Sequence, residues 1–197
     1  MAHVNGNADT RQSILNTAHR IVGAKGFSGV GLNEILAAAD VPKGSFYHYF
    51  GSKEAFGEAL LADYFEEYLA DIDATLAESG LSHAERLMNY WRKWQATQGS
   101  LDYQRKCLAV KLAAEVSDLS EPMRLALKRG TAGIIDRVTG AIEAGVAEGS
   151  LRVDGEPRAA AVTLYHLWLG ASLMAKIERT NAPFDAAMKA TQRILNP

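Results

Sequence analysis

Val41-Pro42-Lys43-Gly44-Ser45-Phe46-Tyr47-His48-Tyr49-Phe50 is the stretch that decides how this chain folds. Proline suits the first turn of a helix, where a backbone N–H has no partner and the fixed φ is already helical. Lys43 and Ser45 then stand in an exposed first turn, and Gly44 between them removes the side chain that would hold the backbone away from a partner. Tyr47 and His48 follow on the same short helix, while Phe46, Tyr49 and Phe50 have the spacing to turn inward and anchor it. This order of basic, small and aromatic groups predicts a helix made to touch DNA. Ser52 is placed to cap the next helix.

Immediately upstream, Leu32, Ile35 and Leu36 repeat at helical spacing, and Ala38-Ala39-Asp40-Val41 leave room only for a tight turn. Two short helices joined in this way form a helix-turn-helix. Periodicity alone describes any helical hairpin with a Lys and a Tyr on its wet face; the order of residues is the distinguishing feature. Phe27, the helix from about Leu32, the run from Val41 to Phe50, and Ser52-Lys53-Glu54 closely resemble the DNA-binding domain of TetR-family repressors, over roughly the first quarter of the chain. The resemblance implies a recognition helix in the major groove, with Lys43, Gly44 and Ser45 facing base edges and Tyr47, His48 and Lys53 positioning it on phosphates. It departs from the family at Gly31, where many members carry a threonine, so a phosphate contact and a helix cap are missing there. Asp40 stands where glycine is common, which is tolerable because Asp visits the left-handed region.

The rest of the chain is consistent with that head. Its 197 residues, 48% hydrophobic and 22% charged, have the composition of a globular protein with a substantial core. The net charge of −2 is unevenly spread: residues 1–55 hold five Lys/Arg against four Asp/Glu, and the remainder sixteen against nineteen. Between Val41 and Lys53 there are two lysines, a histidine and no acid, so the positive field is local to the proposed reading head. Met1 to Asp9 lacks the basic and apolar runs of a signal peptide and is expected to be a loose arm. No run of about eighteen consecutive apolar residues predicts a membrane span. A single cysteine, Cys107, excludes an internal disulfide, and the expected location is cytoplasmic.

The expected fold is all-α, with about nine helices and no convincing alternating strand. The first runs from Asp9, as cap, to about Lys25 with Gly26 at its C′ position. A long helix follows Ser52, with Leu61, Phe65, Tyr68, Ile72 and Leu76 on one stripe. Ser82 and Glu85 form a capping box for a helix carrying Leu87, Trp91 and Trp94. Another runs from about Asp102 to Ser117. Ser120 is expected to cap a long helix with Leu127, Ile134, Val138, Ile142 and Val146 on its stripe, ending at Gly149. Two more follow, from about Pro157 and from Pro183. The predicted domains are residues 1–52, binding DNA, and residues 53–197, for effector sensing and dimerisation.

No catalytic or metal-ligating constellation is visible. His3, His19, His48, His83 and His166 lack paired-ligand spacing, and neither a glycine-rich phosphate loop nor a nucleophile elbow occurs, so no enzyme, cofactor or metal is expected. Cys107 draws attention for a different reason. A lone helical cysteine is usually a small buried hydrophobe, but this one sits near an expected helix start, follows Arg105 and Lys106, and shares a face with Lys111. Those groups favour the thiolate. Cys107-Leu108-Ala109-Val110-Lys111-Leu112-Ala113-Ala114-Glu115-Val116, with Asp118-Leu119-Ser120-Glu121, Leu167 to Ala171 and Ala175-Lys176-Ile177, resembles an electrophile-responsive subgroup of the TetR family. The resemblance implies that Cys107 senses electrophiles or oxidants, with Lys176 near it.

A rival trigger remains open. Trp91, Trp94, Tyr103, Tyr165, His166 and Trp168 could line an apolar pocket for a reversible hydrophobic effector, although aromatics at helical spacing are more often core. By resemblance the last two long helices form a two-fold interface, to which Thr163, Leu167, Gly170, Ala171, Phe184 and Thr191 are assigned, and a two-fold protein implies a palindromic operator. The expectation is therefore a homodimeric repressor on double-stranded DNA. A helical enzyme or a pure interaction module is the contrasting class, and it predicts no sequence-specific DNA binding.

Overall fold

The computed structural model describes residues 3–99 and 108–197. Over these it has nine helices and no strand: α1 His3–Lys25, α2 Leu32–Ala39, α3 Lys43–Phe50, α4 Lys53–Leu76, α5 His83–Gly99, α6 Leu108–Leu119, α7 Glu121–Glu148, α8 Pro157–Glu178 and α9 Ala182–Leu195. Two compact units result, residues 3–66 with 108–130 and residues 67–99 with 131–197. Both α4 and α7 contribute residues to each.

Within the first unit the helix ends follow local chemistry. Gly26 takes φ +84 and its N–H closes on the Val22 carbonyl at 2.8 Å, a conformation glycine adopts without the strain of a Cβ. Asp40 ends α2 at φ 55, and the following Val41 N–H bonds back to the Leu36 carbonyl at 3.0 Å. Gly31 starts α2 with no side-chain cap, as its lack of a hydroxyl requires. Ser52 caps α4, its Oγ accepting the Ala55 N–H at 3.1 Å.

Two expected ends are corrected. α1 takes in the residues from His3, so Asp9 lies inside the helix and the segment before it is not a loose arm. Once Ile14, Leu15, Ala18 and Val22 are buried, each further residue fixes only its own backbone to gain one hydrogen bond, and the helix extends outward. Ser120 does not cap α7 through its side chain: its N–H bonds to Val116 in the last turn of α6, and its Oγ is buried without a partner.

The core of this unit is aromatic. Phe46, Phe50 and Phe56 meet with ring centroids 5.0 to 5.3 Å apart, and all are buried. Burying each ring contributes about 1.5–3 kcal/mol, so α3, only eight residues long, is held by its anchors and not by its own hydrogen bonds. His19 ties α1 to α4, its Nε2–H donating to the Leu60 carbonyl at 3.1 Å.

In the second unit the capping box at α5 forms as expected, Ser82 N–H donating to Glu85 Oε2 at 2.8 Å and Glu85 N–H to Ser82 Oγ at 3.2 Å. α8 and α9 form a hairpin through a short connection in which Arg179 adopts a left-handed φ of 56. Trp91 and Trp168 stack at 5.0 Å between them and α5. α7 buries Ile134, Val138 and Ile142 as predicted, but Val146 at the end of the expected stripe is 42% exposed; the inward position there is Gly145, where a Cβ would stand 2.5 Å from the Leu151 side chain. Among the described residues α8 alone is long and apolar enough to cross a membrane by length and composition, yet Leu164, Tyr165 and Trp168 make it a core helix of this unit.

Candidate nucleic-acid interface and regulatory body

α3 presents two faces with different tasks. Phe46 and Phe50 are buried, and Lys43, Gly44, Tyr47 and His48 are exposed, with Ser45 and Tyr49 half-buried between them. Tyr47 leaves half of its surface to solvent despite its ring, packing edge-on against Phe46 at 5.4 Å. A Cβ built on Gly44 would meet nothing within 4 Å, so internal packing does not demand glycine there. Arg11 of α1 lies over the Phe50 ring at 5.4 Å and adds a further cation beside α3.

Lys53 is exposed as expected, but it has internal partners that its sequence context does not reveal. Its Nζ donates to the Val30 carbonyl at 3.0 Å and lies 5.1 Å from the centre of the Phe27 ring. The ammonium has three donors, so the lysine can brace the α1–α2 loop and still offer a proton to a phosphate.

The proposed sensor and effector residues have mixed placements. Cys107 and Tyr103 lie outside the described residues. Lys176 is half-buried in the last turn of α8. Trp91, Trp94, Tyr165 and Trp168 come together in one buried aromatic cluster, joined by Tyr90 and Phe184, whereas His166 is exposed and touches it only at the margin, its ring 6.3 Å from that of Tyr165. Two of the three indoles are satisfied: Trp94 Nε1 donates to Ser172 Oγ and Trp168 Nε1 to Thr191 Oγ1, each at 2.9 Å. The third, Trp91 Nε1, is buried without a partner, as is Gln98 Oε1.

The expected dimer residues divide. Ala171, Phe184 and Thr191 are buried inside the protomer, where the last two serve Trp168, and they cannot present a surface to another copy. Thr163, Leu167 and Gly170 do lie outward or at the margin of α8. They continue into Leu173, Met174 and Ile177, which are 53%, 42% and 64% exposed. The steps from 163 to 167, 170, 174 and 177 alternate four and three, the spacing of one helical face, so this stripe was present in the sequence although only its first half was assigned.

Glu115 is a contact that no local pattern announces. Burial acts most strongly and raises its pKa, but hydrogen bonds from the Ser28 hydroxyl and backbone and the Phe27 N–H, together with the positive charge of Lys111, outweigh it and hold the carboxyl below its ordinary value. Among the described residues no group of three His, Cys, Asp or Glu could hold a metal ion.

With this geometry in place, comparison with known proteins is decisive. Residues 14–60 match the model for bacterial regulatory proteins of the tetR family, and residues 83–191 match the tetracyclin repressor-like C-terminal domain. The chain is 41% identical over 190 residues to the HTH-type transcriptional repressor NemR of Escherichia coli strain K12, covering 95% of this chain and 94% of that one. It is 35% identical over 194 residues to the repressor DhaR of Mycobacterium sp. strain GP1, covering 94% and 96%. Its fold matches the crystal structure of E. coli NemR in reduced form with a TM-score of 0.90 at 42% identity, over 95% of this chain and 97% of that one. The helix-turn-helix, the nine-helix architecture and these matches together make the chain a member of the TetR family, a NemR-like transcriptional repressor that binds DNA.

Proposed function

We propose that this repressor is a homodimer that occupies a palindromic operator through α3 and leaves it when the Cys107 thiolate is modified by an electrophile or oxidant. The observation that carries the DNA-reading part is the two-faced recognition helix, aromatic inside and Lys43, Gly44, Tyr47 and His48 outside. The outward apolar stripe of α8, Leu173, Met174 and Ile177 above all, supports a second copy as partner, because a contiguous exposed apolar face costs free energy in water.

The thiol trigger is supported by sequence electrostatics: Arg105 and Lys106 precede Cys107 and Lys111 follows it by four. Positive charge stabilises the thiolate, the nucleophilic form. Alkylation makes a carbon–sulfur bond and neutralises that charge. A relative 42% identical has been described in a reduced form, which favours a redox-related trigger.

A second reading has its own observation. The indole N–H of Trp91, within the aromatic cluster, and Gln98 Oε1, further along α5, are both buried without a hydrogen-bond partner. A reversible hydrophobic effector carrying one acceptor and one donor would satisfy both.

Fluorescence anisotropy on DNA flanking the protein's own gene separates these readings. Reduced wild type and Cys107→Ser are titrated with N-ethylmaleimide. Release of the wild type alone supports the thiol switch; equal behaviour of the two removes Cys107 from the mechanism and leaves the aromatic body. A monomeric mass at micromolar concentration in sedimentation would remove the dimer.

A further inference from the structure

The α1–α2 loop is gripped from two directions. Glu115 of α6 accepts the backbone N–H of Phe27 at Oε2, 3.2 Å, and that of Ser28 at Oε1, 2.5 Å, across 88 and 87 positions of sequence. From the start of α4, Lys53 donates to the Val30 carbonyl and covers the Phe27 ring. Gly26 makes room for the carboxylate: a Cβ there would stand 2.9 Å from Glu115 Oε2, at a φ of +84 that side chains rarely adopt. Beneath the loop, a Cβ on Gly57 would lie 2.8 Å from the Phe27 ring and 2.5 Å from Met123 Sδ of α7. This packing leaves the loop little freedom to shift alone.

Simple stability does not require such an arrangement. The Ser28 amide is exposed, so water would satisfy it, and α6 is already anchored by buried Leu112 and Val116. The carboxylate therefore does something water could not: it ties the helix that begins directly after Cys107 to the loop that leads into the helix-turn-helix. A charge-assisted hydrogen bond weakens steeply with distance and angle, so a small displacement of α6 suffices to lose it.

We propose that Glu115 is a positioning residue for operator binding, holding the Phe27 and Ser28 amides so that α2 and α3 keep their DNA-reading pose, and that a displacement of α6 reaches the head through the loss of this contact. The proposal rests on α3 as the DNA-reading helix, and not on Cys107 as the trigger.

The test compares full-length wild type, Glu115→Ala and the near-isosteric Glu115→Gln on DNA flanking the protein's own gene and on a scrambled duplex. Glu34→Gln is the control, since its ion pair with Lys25 lies within the head and does not reach α6. Both Glu115 variants are expected to lose about tenfold in affinity for the flanking DNA, the worth of a charged hydrogen bond, with scrambled-duplex affinity unchanged and Glu34→Gln like wild type. Amide exchange at Ser28 should slow on binding the flanking DNA in wild type and not in Glu115→Gln. Wild-type discrimination in Glu115→Ala overturns the proposal alone, as does a parallel loss on both duplexes, which marks general damage to the fold. A wild type that cannot tell the duplexes apart sinks the DNA-reading assignment, and the proposal with it.

Discussion

Lys53 Nζ donates to the Val30 carbonyl at 3.0 Å, joining the first turn of α4 to the loop that precedes α2. A residue expected to serve only phosphate thus also fixes the frame that carries α3. Lys53→Ala should lower affinity for all DNA sequences alike and reduce the salt slope by about one, and it should also cost the fold about 1 kcal/mol for the lost hydrogen bond. Salt-titrated anisotropy with urea unfolding measures both; unchanged stability would mean the Val30 contact contributes nothing in solution.

Lys43 faces outward from the first turn of α3 with no part of the protein crowding Gly44 beside it. Lys43→Ala should narrow the gap between the best operator and single-base variants by about 1–3 kcal/mol, the worth of a base contact. Competition binding across a set of such variants reads this directly. A uniform loss on every sequence would demote Lys43 to a phosphate contact.

Ser172 Oγ accepts the Trp94 indole N–H at 2.9 Å, and its own hydroxyl donates to the Trp168 carbonyl at 2.7 Å. Ser172→Ala removes a single oxygen and leaves a buried N–H unpaired, at a cost of about 1–3 kcal/mol. Ser172→Cys, with a weak acceptor, should recover part of it. Denaturant midpoints decide, and a neutral Ser172→Ala would show that water reaches the indole.

Glu148 joins the end of α7 to the start of α5. Its carboxylate takes the His83 N–H at 2.9 Å, a bond from the Ser150 hydroxyl at 2.7 Å and the His83 ring, which together lower its pKa from 4.5 to about 2. Because the folded value is depressed, the stabilisation is fully present above the unfolded pKa, near 4.5, and disappears as pH falls toward 2. Glu148→Gln should therefore be less stable than wild type at pH 7, with the difference closing across that acid window. Melting temperatures measured from pH 7 down to pH 2.5 check it; a constant offset would assign the effect to shape and not to charge.

Sequence revealed most where a signal and its consequence lie within a few residues. Gly26, Asp40, Ser52 and the Ser82–Glu85 pair each fix a helix end through their own backbone or a partner three positions on, so their roles could be read locally. The recognition helix was legible for the same reason, since its inward aromatics and outward polar groups sit within one eight-residue helix. Ser120 shows the limit of that logic. A serine before a proline-containing first turn has the pattern of a cap, but only its backbone plays that part: its N–H closes on Val116 of the preceding helix, its carbonyl accepts the Arg124 N–H at the start of α7, and its hydroxyl is buried without a partner.

By itself, then, the sequence determined the helices, the helix-turn-helix and which residues of α3 turn outward, because capping and amphipathic period are short-range effects. Only the tertiary structure decided which apolar face meets which partner. Small and apolar residues on α8 serve core and surface equally well, and packing sent Ala171, with Phe184 and Thr191 of α9, inward while leaving Leu173, Met174 and Ile177 outside. The same holds for Glu115: a solvated glutamate and a loop-holding one look identical in a chain, and 88 intervening positions had to fold before the Phe27 amide arrived beside it.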